Sequence, residues 1–393
     1  MGEAIDLGGY AGFTADPYPV YEELRARGPV HRVLLPKPAD DGEAWLIVGH
    51  EEARAALTDP RLVKSPAKLG FSGLDEELIG THLLITDPPH HTRLRSLVTR
   101  AFTARRVESL RPRIQRITDD LLDAMLPHGR ADLVESFAFP LPLTVICELL
   151  GVPDIDRADF RRMSNEVVAP SDRDGEYATF VELAAYLRDL IEDKRASAPA
   201  DDLLSALIRT TAEDGDRLSP DELCAMAFIL LIAGHETTVN LIAGGVRALL
   251  MHPDQLAALR ADMTLLGGAV EEMLRYEGPV ENATYRFTVE DTEVGGTVIP
   301  GGSAVLVGLA AADHDPERFP EPDRFDIRRD ARGHIAFGHG LHHCLGAPLA
   351  RLEGQIALRA LLDRAPALAL DGPADDWLPG MLIRGVRSLP VRW

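Results

Sequence analysis

Up to Tyr276, apolar positions recur mostly at near 3.6-residue spacing, which predicts helices joined by short polar turns. A first helix opens at Asp16-Pro17-Tyr18-Pro19 and runs through Leu24 to Arg27, and a short one covers 51–57. From His90 onward, Leu94, Leu97, Val98, Ala101 and Phe102 share one face. The pattern predicts further helices over 107–126, 141–150, 155–169, 177–197 and 203–210, with polar connectors at 170–176 and 211–217. Ser219-Pro220-Asp221-Glu222 combines a capping serine, a first-turn proline and N-terminal acids, so it starts a helix. That helix runs to about Met251 and is apolar nearly all round, as befits a helix through the middle of a large core. Helices over 254–263 and 266–276 follow.

The exceptions are short apolar or alternating runs. Residues 30–33 and 44–48 flank a Pro/Asp/Gly turn and predict a hairpin. Beyond Pro279, strands are expected at 283–289, 297–299 and 304–307, then a proline-rich irregular stretch over 315–325, and an edge strand at 389–393. Residues 59–89 scatter Gly, Ser and Pro and read as a long irregular loop, a type more often functional than accidental. With no internal repeat or low-complexity linker, the expectation is one mainly α domain over residues 1–393, with small β-sheets.

Composition narrows the function. Of 393 residues 46% are hydrophobic, enough for a sizeable core. The balance of 41 basic against 62 acidic residues, −21 net, makes nucleic acid a poor partner. Cys147, Cys224 and Cys344 lie far apart, which matches a reducing compartment rather than a disulfide framework. The N-terminus shows no basic region followed by an apolar run, and no uninterrupted apolar stretch reaches bilayer length. The expectation is a soluble, cytoplasmic monomer.

The candidate chemistry gathers at Phe337-Gly338-His339-Gly340-Leu341-His342-His343-Cys344-Leu345-Gly346-Ala347-Pro348. Gly338 and Gly340 allow a tight turn and close approach to a flat partner, Gly346 permits close packing, and Pro348 suits a first helical turn. Leu349, Leu352, Ile356 and Ala360 then continue as a helix, placing Cys344 at a helix N-terminus, where the dipole favours a thiolate. A lone cysteine is usually a small buried hydrophobe. A zinc site from His339, His342, His343 and Cys344 lacks a second ligand pair. A thiolate here also suits axial ligation of haem iron.

Three other strings stand out. In Ala233-Gly234-His235-Glu236-Thr237-Thr238, Ala233, Gly234 and Thr237 share a helix face, and an acid beside a threonine in an apolar helix is a plausible proton relay. Thr237 bonding back onto its own helix is the plainer reading. Glu272 and Arg275 share a face, where most such pairs are surface ion pairs. His91 and Arg95 sit four apart at a helix start and can address one anion, or form an ordinary basic face. Arg93, Arg95, Arg100, Arg105, Arg106, Arg111 and Arg113, against Glu108 alone, make a basic island, with Arg332 and Arg351 flanking the cysteine loop.

Taken together the strings resemble the cytochrome P450 family: Phe-Gly-x-Gly-x-His-x-Cys-x-Gly, Ala-Gly-x-Glu-Thr-Thr, Glu-x-x-Arg and a Pro-x-Arg-Phe segment at Pro322-Asp323-Arg324-Phe325 occur in the family's order. The likeness runs from Asp16 to Trp393 and is strongest to actinobacterial hydroxylases and epoxidases of macrolide polyketides. It implies the P450 fold and one haem b held by Cys344, with Phe337, Gly338, Gly346, Ala233 and Gly234 against the ring. His91, Arg95, Arg286 and His342 would take the propionates, whereas His90 and His343 match no role. Thr237 would stand at the oxygen site with Glu236 helping to deliver protons. Glu272, Arg275 and Arg324 would form a structural trio. Ile85, Val168, Ile229, Ala233, Val280, Asn282, Ala283, Leu382 and Ile383 would contact substrate, and Asp75, Glu76 and Glu77 fall in the first wall loop, 64–85. With no G-x-G-x-x-G fingerprint, electrons would come from a ferredoxin and its NAD(P)H-dependent reductase, the basic island being the dock. A peroxide-driven peroxygenase and a non-catalytic haem sensor are the rival readings.

Overall fold

The computed structural model describes residues 3–36, 42–65, 78–153, 157–168, 173–198, 200–210 and 215–393. Its first part holds β1 (Ile5–Asp6), α1 (Tyr18–Arg27), β2 (Val30–Leu34), β3 (Glu43–Ile47), α2 (His50–Thr58) and β4 (Leu62–Val63). The helical body comprises α3 (His90–Ala101), α4 (Ala104–Ser109), α5 (Arg111–Met125), α6 (Pro140–Leu150), α7 (Arg157–Val168), α8 (Arg173–Ala196), α9 (Leu203–Arg209), α10 (Pro220–Ala233), α11 (Glu236–Met251), α12 (Pro253–Ala261) and α13 (Leu266–Tyr276), with β5 (Arg130–Asp132) between α5 and α6. The last part holds β6 (Arg286–Thr288), β7 (Thr292–Val294), β8 (Thr297–Ile299), β9 (Ala304–Val307), α14 (Leu309–Asp313), α15 (Ala347–Arg364), β10 (Ala369–Leu370) and β11 (Pro390–Arg392).

The expected hairpin forms, with Val30 opposite Ile47 and Leu34 opposite Glu43. It becomes part of a six-stranded sheet in the order β1-β2-β3-β9-β6-β4. The last apolar run is not an edge strand: β11 lies between β10 and β5, because Asp132 accepts from the Leu389 N–H and holds the chain inward. The helix expected over 107–126 is two, α4 and α5, meeting at Leu110. Pro112, in the first turn of α5, has no N–H to continue a ladder from α4. Helix α8 starts at Arg173, four residues earlier than its apolar pattern predicts. Residues 169–172, 211–214 and 66–77, including Asp75, Glu76 and Glu77, lie outside the described residues.

Pro220–Met251 is long and apolar enough to cross a membrane by length and composition, yet 72% of its most apolar stretch is buried. It is the central core helix, packed against α6, α13 and α15. The capping box at its start is complete: Ser219 accepts from the Glu222 N–H, and Glu222 accepts from the Ser219 N–H.

Glu272 and Arg275 are fully buried and make two parallel bonds of 2.8 and 3.0 Å. Their third side chain is Arg329, whose Nε donates to Glu272 Oε1 at 3.2 Å. Arg324 offers only its backbone carbonyl, at 3.4 Å from Arg275 Nη2, while its own side chain is exposed beside Glu321 and Asp326. The Pro-x-Arg-Phe segment thus contributes main chain, and the arginine five residues later contributes charge. Arg275 also donates to Asp313 O at 3.1 Å, so the cluster ties α13 to α14 and to the segment entering the cysteine loop. Removing one member strands a buried charge: Glu272→Ala should cost about 3–5 kcal/mol in urea unfolding. Arg324→Ala should stay within about 0.5 kcal/mol. Equal losses at the two positions would contradict this assignment.

Candidate active site

The cysteine loop is built on two left-handed glycines, Gly338 at φ 71° and Gly340 at φ 74°. At Gly340 a Cβ would also lie 2.7 Å from Thr58 Cγ2 and 3.1 Å from Leu57 O, so the loop can press onto α2 only without a side chain. The Cys344 N–H donates to Phe337 O at 2.9 Å and closes the turn. Helix α15 begins three residues later with Pro348 in its first turn. Cys344 keeps an exposed surface, but its surroundings still desolvate the thiol. Burial pushes its thiol up, against the downward pull of the Gly346 and Ala347 N–H groups, Arg95 and Arg351. In this chain the dipole therefore opposes burial rather than winning outright. Behind the loop, Arg351 stacks on Phe337 at 4.5 Å and makes bonds of 2.7 and 2.8 Å to Glu271. Burial alone would raise Glu271, but Arg351 and His334 bring it down to about 2.

Beside the loop, positive and imidazole groups converge. His91 is buried, and neither ring nitrogen has a hydrogen-bond partner. Its ring lies 4.3 Å from that of His342. Burial, then Lys64, His91 and Arg286, lower His342 to about 3 despite the opposing Asp87. Arg286 donates to Leu62 O and Leu57 O at 3.2 and 3.3 Å, its Nε is buried without a partner, and burial lowers it to about 10. Arg95 donates to His343 O at 2.8 Å. Buried donors without acceptors are costly unless an anion completes them. A thiol at a glycine-lined turn and unmatched donors for carboxylates fit haem, with Cys344 toward iron and His91, Arg95, Arg286 and His342 toward propionates. His90, by contrast, pairs with Glu222 at 2.8 Å.

The basic island is narrower than its sequence. Arg93 bonds Asp216 and Glu222, Arg106 bonds Asp201, Arg111 bonds Glu108 and Arg113 bonds Glu148. Arg332 and Arg351 are likewise paired, with Asp330 and Glu271. Folding brings Asp216 and Glu222 to Arg93 from 123 and 129 positions away, Asp201 to Arg106 from 95 and Glu148 to Arg113 from 35, which no local charge count registers. Among the described residues, Arg95, Arg100 and Arg105 make no ion pair. Arg95 and Arg100 line a cleft of about 420 Å³ with His91 and the exposed Leu341.

The central helix breaks between α10 and α11, at Gly234-His235. A Cβ at Gly234 would lie 2.4 Å from Leu230 O and 2.8 Å from Ile146 Cδ1, so only glycine fits against α6. Two side chains take over for the interrupted backbone ladder. His235 Nδ1 donates to Leu231 O at 2.9 Å, and Thr237 Oγ1 donates to Ala233 O at 3.1 Å. Backbone bonding resumes with the Thr238 and Val239 N–H groups on His235 O. Ala233 is exposed and Thr237 half-buried, whereas Glu236 points into the protein. Burial raises the Glu236 carboxyl, with Arg161 and Asn240 pulling it down. Ala233 and Thr237 lie on one side of the helix at the break, joined by the back-bond of Thr237 that is the plainer reading.

Of the expected substrate contacts, Val280, Leu382 and Ile383 come together: Val280 bridges Ile383, and the Glu281 N–H donates to Leu382 O at 2.9 Å, while Ala283 is half-buried with its N–H on Val307 O. Ile229 is half-buried one turn before the exposed Ala233, and Ile85 is half-buried in a single 3-10 turn. Asn282 is corrected: it is fully buried, and its Nδ2 donates to Met381 O at 2.7 Å, so it braces the wall from behind. An extended run alternates faces, and bridge pairing with Gly308 decides which face Asn282 takes. The Val168 side chain lies outside the described residues.

His235 was not singled out beforehand, since a histidine inside an apolar helix usually reads as a filled core position. Burial lowers it from 6.5 to about 4. Its stability contribution is complete above 6.5 and is lost as pH falls from there towards about 4, because the unfolded chain takes up the proton first. Between pH 7.5 and pH 4.5, urea unfolding free energy should fall by up to about 3 kcal/mol from this group, and His235→Phe should remove that part of the slope. An unchanged slope would contradict a neutral buried His235.

Known proteins match this arrangement throughout the chain. The family model for cytochrome P450 matches residues 160–365. The chain is 59% identical over 395 residues to cytochrome P450 monooxygenase PikC of Streptomyces venezuelae, covering 99% of this chain and 94% of that protein. It is 48% identical to 6-deoxyerythronolide B hydroxylase of Saccharopolyspora erythraea, covering 97% and 96%. The solved structure of tirandamycin C-bound P450 monooxygenase TamI superposes with a TM-score of 0.91 at 46% identity, covering 99% of each chain. With a cysteine loop, unmatched buried donors beside it and a broken central helix already in place, the chain belongs to the cytochrome P450 family and is a haem-dependent monooxygenase.

Proposed function

We propose that this monooxygenase hydroxylates or epoxidises a large hydrophobic macrolide or polyketide in antibiotic biosynthesis, using O2 and electrons from a ferredoxin and its NAD(P)H-dependent reductase in the cytoplasm. The observation that carries the oxygenase chemistry is the helix break. It exposes Ala233 and Thr237 on one side and sends Glu236 inward on the other. The haem, when bound, supplies the oxidising chemistry. Cys344 would hold its iron, and Phe337, Gly338, Gly346, Ala233 and Gly234 would lie against the ring. The Thr237 hydroxyl holds a proton at the oxygen site, and Glu236, whose carboxyl burial pushes up, helps to deliver protons there. Ile85, Val168, Ile229, Val280, Ala283, Leu382 and Ile383 exclude water and orient an apolar ligand.

The macrolide assignment is supported by the likeness to 6-deoxyerythronolide B hydroxylase and other polyketide-tailoring relatives, and by these apolar walls. The ferredoxin assignment is supported by Arg95, Arg100 and Leu341 around the cleft near the cysteine loop, a small cationic patch with an apolar centre suited to an acidic donor. The Glu236-Thr237 pair speaks against a peroxide-driven enzyme, which would not need it.

Four measurements test the reading. The dithionite-reduced, CO-bound protein should show the red-shifted Soret band of thiolate ligation, and Cys344→Ser should abolish it; a histidine-type band would end the haem-thiolate proposal. Thr237→Ala should keep oxygen consumption while product per O2 falls about tenfold or more. Titration with 6-deoxyerythronolide B or tirandamycin C, read as a spin-state shift, addresses the ligand class. Turnover with peroxide but not with ferredoxin, reductase and NADPH would favour the peroxygenase.

A further inference from the structure

Helix α7 carries a polar group of residues where its neighbours are apolar. Phe160 and Met163 are core residues, yet Ser164 is also fully buried. Its Oγ lies 2.8 Å from His235 Nε2. Since Nδ1 donates to Leu231 O, Nε2 carries the lone pair and the serine hydroxyl donates to it. Phe139 and Phe160 stand edge-on to the imidazole at 6.0 and 5.0 Å, leaving the ring little freedom. One imidazole therefore spans from α7 to the carbonyl freed by the break, immediately before Glu236.

A second contact runs parallel to the first. Arg161 and Asn165, on either side of Ser164 along α7, line a cavity of about 70 Å³ with Glu236 and Asn240. That volume accommodates about two waters. Arg161 stacks on Phe139 at 4.8 Å and pairs with the exposed Glu135. Glu236 Oε2 is 3.5 Å from His235 Nε2, and Asn240 Nδ2 donates to Glu236 O at 3.0 Å. Residues 161, 164 and 165 occupy one helical face by their spacing, and that face meets the His235-Glu236 pair.

A buried serine–histidine bond in an apolar core carries a desolvation cost that two apolar side chains would avoid. It fixes the azimuth of His235, hence the Leu231 O contact, hence where the backbone ladder restarts, and Glu236 and Thr237 are the first residues after that restart. We propose that Ser164 and His235 are positioning residues for oxygen activation, linking α7 to the geometry of Glu236 and Thr237. Helix α7 is then the element through which a substrate seated on it aligns the proton-handling pair. This last step rests on the proposed function, in which α7 borders the substrate site.

The test compares wild-type holoenzyme with Ser164→Ala, His235→Phe and the double variant. All should retain the thiolate-type CO spectrum. Backbone amide exchange over 236–239, read by mass spectrometry, should accelerate about tenfold in each single variant. The double variant should exchange no faster than His235→Phe alone, since one bond is removed once. The infrared C–O stretch of the CO-bound protein should shift or broaden in all three. With ferredoxin, reductase, NADPH and 6-deoxyerythronolide B, product per O2 should fall about threefold or more while the spin-shift affinity stays within about twofold. Exchange within about twofold of wild type in both single variants would overturn the inference. So would faster exchange with an unchanged C–O stretch and unchanged product yield per O2. If 6-deoxyerythronolide B gives wild type no spin shift, only the ligand reading fails, and exchange with the C–O stretch decides the positioning role.

Discussion

The interrupted hydrogen-bond ladder at Gly234-His235 is the constraint on which the candidate site depends. An unbroken helix in a dry core would bury every carbonyl against its own N–H and leave no polar group for chemistry. Breaking it frees carbonyls that must be satisfied, and His235 and Thr237 satisfy two of them with side chains. Thr237 is thereby held in a defined rotamer with its oxygen already engaged. Glycine at 234 is required because Leu230 O and Ile146 leave no room for a Cβ. Packing, backbone and proton handling are one feature here rather than three.

Charge is handled by the same logic of complete pairing. Glu272, Arg275 and Arg329 are tolerated in the core because the carboxylate receives two arginines and the Asp326 N–H. Glu271 performs a similar task with Arg351 and His334 directly behind the cysteine loop. The contrast with His91 and Arg286 is informative. Both ring nitrogens of His91 and the Nε of Arg286 are buried and unbonded, and both residues lie close to His342, where an anionic group can complete them. Unbonded buried donors gathered beside a cysteine loop mark a candidate anion site.

Much of the fold was legible because apolar spacing is a local property. Helix α13 and the β2–β3 hairpin follow their patterns closely, and Ser219 caps where a capping serine should. The errors share one cause. Arg324 for Arg329, Asn282 as a contact and an edge for β11 each required knowing a partner far along the chain. The basic island shrank for the same reason, as Asp201, Asp216 and Glu148 came to meet its arginines. His235 and Ser164, 71 positions apart, carried no joint signal at all.

The sequence by itself determined the class of chemistry. A glycine-punctuated cysteine loop, an acid–threonine pair after Ala-Gly, and a Glu-x-x-Arg pair are fixed by residue type and short spacing, and they persist whatever surrounds them. Only the tertiary structure decided which nitrogens go unpaired, which arginine completes Glu272, and where the central helix breaks. Those outcomes depend on desolvation and on contacts between distant segments, and both come into being only when the chain is packed.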